Sequence, residues 1–128
     1  MTGKIVLWIS GLVFISYGMV SLFAPAVPAG FAGLIISNGN AYAEIAAMYG
    51  GLQTGIGLFC LLALLKPAYY RAGLVILVLG IGAIAVGRLL GFLVNGEPVT
   101  MYTYGAFVYE CLTATLAAYA LRQASSSH

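Results

Sequence analysis

Ala43 to Leu65 is 23 residues long and holds a single charged residue, Glu44, at its start. A run of that length and polarity can cross a bilayer as a helix. Gly50, Gly51, Gly55 and Gly57 lie within it. In water so many glycines would weaken a helix. In lipid they let a neighbouring backbone come close, and Gly51-x-x-x-Gly55 has the spacing for such a contact. Tyr49 and Gln53 share the stretch, one helical turn apart. A helix both thin and polar belongs at the centre of a membrane bundle, not on its lipid-facing wall.

The rest of the chain agrees. Of its 128 residues 62% are hydrophobic and 6% charged, where a water-soluble domain carries about a quarter charged residues. The fold class expected is all-α: an integral membrane four-helix bundle in one domain, residues 1–122. The net charge is +2 with no basic run, which argues against nucleic acid. Cys60 and Cys111 sit singly in apolar runs and read as small apolar filler. His128, the one histidine, follows three serines. No metal or cofactor site is expected from such a set, and 123–128 reads as a disordered tail.

Four spans are expected, at about 5–24, 43–65, 72–94 and 99–121. The first has twenty residues without a charge, too long for the ~7–15 residues of a signal-peptide core. Its Ser10, Tyr17 and Ser21 share one face, which should turn inward. Pro25 and Pro28 stop it. Phe31, Leu34, Ile35 and Ile36 are too apolar for a free loop and suggest a short segment lying in the membrane interface. Asn40 is a candidate N-cap for the second span. In the third, Gly80, Ala83, Gly87 and Gly91 keep one side thin. With four crossings, Lys4, Lys66, Arg71 and Arg122 fall on one side and Glu44 and Glu97 on the other. The positive-inside rule then makes both termini cytoplasmic.

Arg88 and Glu110 are the two charges left inside the spans. Each alone would cost about 2.5–3.5 kcal/mol on insertion scales. Arg88 lies about 9 Å, and Glu110 about 16 Å, from the outer ends of adjacent antiparallel helices. They are expected to form an ion pair, with Tyr49 or Gln53 hydrogen-bonded to one of them. Tyr17, Tyr49 and Gln53 fall in the same outer slab, while 60–65 and 74–79 are almost wholly apolar. That asymmetry suggests a polar cavity open toward the outer leaflet, lined by Arg88, Glu110, Tyr49, Gln53 and Tyr17. A packed polar network with no ligand fits the same residues. Tyr42, Tyr102 and Tyr104 read as interfacial anchors, and Glu44 as a complement to its helix dipole.

Met48-Tyr49-Gly50-Gly51-Leu52-Gln53-Thr54-Gly55-Ile56-Gly57, with Gly87-Arg88, Tyr104-Gly105 and Glu110, resembles a family of small bacterial four-helix inner-membrane proteins known only as a domain of unknown function. The resemblance implies the fold, the bacterial inner membrane and the polar positions, and no activity. Four functions stay open. A membrane lipid or lipophilic small molecule could bind in the cavity, the default for an apolar pocket with converging polar groups. A small proton-coupled exporter would use Glu110, although Arg88 is placed to engage it. An enzyme acting on a membrane lipid or quinone would use Glu110 as base and Tyr49 as proton donor, with no motif to fix their geometry. An accessory subunit would dock through the glycine faces, and the same faces would serve a homo-oligomer.

Overall fold

A computed structural model describes residues Met1–Ser127. Among these the chain is all-α, in five helices: α1 Thr2–Phe23, α2 Ala26–Ala32, α3 Gly39–Leu65, α4 Pro67–Asn95 and α5 Met101–Ser126. α1, α3 and α4 are long and apolar enough to cross a membrane. α5 is as long but more polar, since four tyrosines, three threonines, Glu110 and Arg122 interrupt its apolar residues.

Several boundaries differ from the hydropathy reading. α1 begins at Thr2, because Lys4 in a first turn does not prevent helix. α3 begins at Gly39, and its cap is Asn38, not Asn40: the Asn38 side chain accepts a 3.0 Å hydrogen bond from the Ala41 N–H. α5 continues past Leu121 to Ser126, so 123–126 is helical and not a disordered tail. Local bonds hold that last turn. Ser125 Oγ donates to the Leu121 carbonyl, Ser126 Oγ to the Gln123 carbonyl, and Gln123 Nε2 to Tyr119 Oη. His128, which was expected to end the disordered tail, lies outside the described residues.

Two of the long helices contain a wide turn. α3 passes through a π-helical turn at Ala46–Gly51, and α4 through another at Leu77–Ile81. Such turns insert one residue into the helical register and recur at functional sites. The first contains Tyr49, Gly50 and Gly51, and ends two residues before Gln53.

The chain forms two compact units. The first is Trp8–Leu62. In it α1 and α3 touch backbone to backbone. A Cβ added at Gly18 would stand 2.8 Å from the Gly50 carbonyl oxygen, and one at Gly57 2.8 Å from that of Gly11. Gly11 and Gly18 on α1 therefore face Gly57 and Gly50 on α3, seven residues apart on each helix. The expected contact at Gly51 and Gly55 is not the one used. Gly55 has open space around it, and Gly51 meets only the carbonyl of Ala46 at 3.9 Å. They lie on another side of α3 from Gly50 and Gly57. Ser10 and Ser21 are buried, as the polar face of α1 requires, and Ser21 Oγ donates to the Tyr17 carbonyl at 2.8 Å. After Pro25, α2 makes two turns and stops at Gly33, whose φ of 71° lies in the left-handed region that glycine enters freely. Its Phe31 and the following Ile35 stand exposed.

The second unit joins residues 1–7 to the chain from Ala63 onward. Leu7, Leu74, Leu77, Ile81 and Ala117 are fully buried in it. α4 and α5 run antiparallel across the 96–100 turn, which opens at Gly96 with φ 71°. Their register is regular. Phe92 meets Tyr104 edge to face at 6.3 Å, Arg88 meets Glu110, and Arg71 meets Ser125. The thin side expected at Gly80, Ala83, Gly87 and Gly91 packs on no other helix at its glycines. Gly87 and Gly91 have open space among the described residues, and the glycine of α4 that approaches α5 is Gly82, against Ala114.

Candidate functional site

Arg88 and Glu110 form the ion pair expected of the two charges left inside the expected spans. α4 delivers the arginine one turn before Phe92, and α5 delivers the glutamate one turn before the buried Thr113. Arg88 Nη2 donates to Glu110 Oε1 at 2.7 Å, and Nε donates to Oε2 at 3.0 Å. This two-pronged geometry uses both carboxylate oxygens and fixes the relative rotation of the two helices. The partners are not equally covered: 9% of the Glu110 side chain is exposed, against 26% of Arg88. The acid is the walled-in partner and the base is the accessible one.

The other three expected site residues belong to the first unit. Tyr17 on α1 and Tyr49 on the π turn of α3 meet edge to face, with ring centroids 6.4 Å apart. Gln53, four residues on, is half-buried like both tyrosines. An open groove of about 500 Å³ runs beside Tyr17, lined by Leu12, Val13 and Val20 of α1 and by Val27 and Phe31 of α2. Its walls are almost entirely apolar, and it suits hydrocarbon.

Three features escaped the sequence reading. Thr113 is buried one turn from Glu110, and the i, i+3 spacing could have shown it. Tyr104, half exposed, also packs its ring on Phe92, a contact the sequence does not announce. Thr54 Oγ1 is buried without a hydrogen-bond partner among the described residues, close against Gly18. Only the close helix crossing explains its burial. Among the described residues no group of three or more histidine, cysteine or acidic side chains could hold a metal ion.

The sequence profile of DUF4345, a domain of unknown function, matches residues 3–121. The chain belongs to this family. The match takes in the tyrosine–glycine π turn, both members of the ion pair and all but the last turn of α5. No curated protein and no solved structure matches the chain.

Proposed function

We propose that this DUF4345 member is a multi-pass protein of the bacterial inner membrane that binds a lipophilic or amphiphilic small molecule in the outer half of the bilayer. In this reading α5 is the fourth crossing, and both termini are cytoplasmic. Lys4, Lys66, Arg71 and Arg122 then fall on the cytoplasmic side. α2 lies in the outer interface, with Phe31 and Ile35 toward lipid.

The observation that carries the reading is the Arg88–Glu110 pair: two-pronged, joining the apolar α4 to the more polar α5, with about a quarter of the arginine side chain exposed. Charged side chains at such positions commonly mark sites. Arg88 is assigned to the ligand's polar group and Glu110 to holding Arg88 in place. Within the first unit, taken by itself, Tyr17, Tyr49 and Gln53 are assigned to ligand contacts, with Tyr17 bordering the unit's own apolar groove. The open side of α4 at Gly87 and Gly91 supports a second reading, docking of another membrane protein or another copy of the chain.

The test is native mass spectrometry of protein extracted in mild detergent. Wild type should carry a small molecule that survives purification, and Arg88→Leu/Glu110→Leu should fold and lose it. Wild type that is empty in every preparation would remove the ligand-binding reading. A stoichiometric protein partner in the same spectra would favour the second.

A further inference from the structure

Among the described residues the four exposed lysines and arginines all belong to the second unit and gather at one end of it. Gly3 lies against the hydroxyl of Tyr70 and the Cβ of Ala120, so the start of α1, the start of α4 and the end of α5 meet there. Lys4 follows Gly3. Arg71 follows Tyr70, and its Nη1 donates to Ser125 Oγ at 3.0 Å. Arg122 stands one turn before Ser125. Lys66 caps the short turn Pro67–Tyr69 that opens α4. The four side chains are exposed. The unit's two carboxylates are elsewhere: Glu97 follows the far end of α4, and Glu110 is engaged by Arg88. Among the described residues this end thus presents four cations and no Asp or Glu side chain of the unit.

We infer that this end binds the headgroups of anionic phospholipids in the leaflet it faces. The complementarity is one of charge: a phosphodiester headgroup without an ammonium group carries net negative charge, and four bases face it at the border of an apolar surface. The half-exposed Tyr69 ring supplies the aromatic contact that a headgroup region favours. Bases near a membrane surface attract anionic lipid additively and lose that attraction in salt. The proposal does not depend on a ligand at Arg88, nor on which leaflet the end faces.

The experiment uses the full chain in detergent micelles doped with equal amounts of phosphatidylglycerol and phosphatidylcholine, with retained lipid read by native mass spectrometry. Wild type should retain phosphatidylglycerol preferentially, and the preference should shrink in high salt. Lys4→Gln, Lys66→Gln and Arg122→Gln should each lower it, by roughly fivefold per base, and the triple variant should lose it. Lys4→Arg/Lys66→Arg should keep it. Arg71 is left in place, because its bond to Ser125 holds the last turn of α5. Equal retention of the two lipids by wild type would overturn the proposal. So would a triple variant with undiminished preference. If Glu97→Gln raised retention as much as one lost base lowered it, net charge and not this end would be responsible. Displacement of the lipid by inorganic phosphate at comparable concentration would identify a soluble anion site instead.

Discussion

In the first unit α1 and α3 meet backbone to backbone at Gly11, Gly18, Gly50 and Gly57, and the buried polar groups beside them include Ser10 and Ser21. In the second, α4 and α5 meet through side chains: an aromatic pair, an ion pair and a serine held by an arginine. The difference follows from what drives helices together in lipid. Tails are as apolar as leucine, so burying apolar area gains little, and close van der Waals contact or polar pairing must supply the attraction. Glycine crossings give the first and tolerate no added atoms. Ion pairs give the second and tolerate no missing partner. The two units should therefore fail under opposite kinds of substitution.

The largest effect expected is from adding volume to the first unit. Gly57→Leu should cost about 3 kcal/mol or more, because the backbone atoms it meets at Gly11 and Ile15 cannot turn aside as a side chain can. Reversible unfolding in micelles should show this as a large drop in midpoint. Next comes removing one partner from the second unit. Glu110→Leu should cost about 3 kcal/mol, near the lower end for breaking a buried pair, since Arg88 is partly exposed. Glu97→Gln, on the exposed turn, should be nearly silent in the same assay. Arg88→Leu/Glu110→Leu should recover most of the loss, and a double-mutant cycle would measure the coupling. Additive losses would mean that the pair does not act as a unit.

A smaller effect is expected at the ring contact in the first unit. Tyr49→Leu should cost about 1 kcal/mol, and less when Tyr17 is already leucine. The smallest is at the open glycines. Gly87→Ala and Gly91→Ala should change single-chain stability by less than about 1 kcal/mol and in the stabilising direction, because alanine is the better helix former. Should either disrupt a dimer seen by cross-linking in membranes, that side of α4 is an interface between copies.

The sequence by itself determined that the chain is all-α with long apolar helices, three of the four expected spans having the length and apolarity to cross a membrane, and that Arg88 and Glu110 would find each other. Both follow from solvation. A long run with almost no charge can be stable only out of water, and two opposite charges inside such runs have few alternative partners. It also determined that Ser10 and Ser21 would be buried, from the period of the helix. The tertiary structure decided which glycines matter. Gly51 and Gly55 match a known packing spacing, yet Gly50 and Gly57 make the contact. A packing face depends on how the helix is wound, and the π turn at Ala46–Gly51 shifts that winding by a residue where composition gives no sign of it. The end of α5 was settled in the same way. Ser125, Ser126 and Gln123 read as a polar tail one by one, but they are helical because their side chains bond to nearby groups of the same turn and because Arg71, more than fifty residues earlier, reaches Ser125. Hydropathy sums residues independently, and so cannot register a bond between two of them.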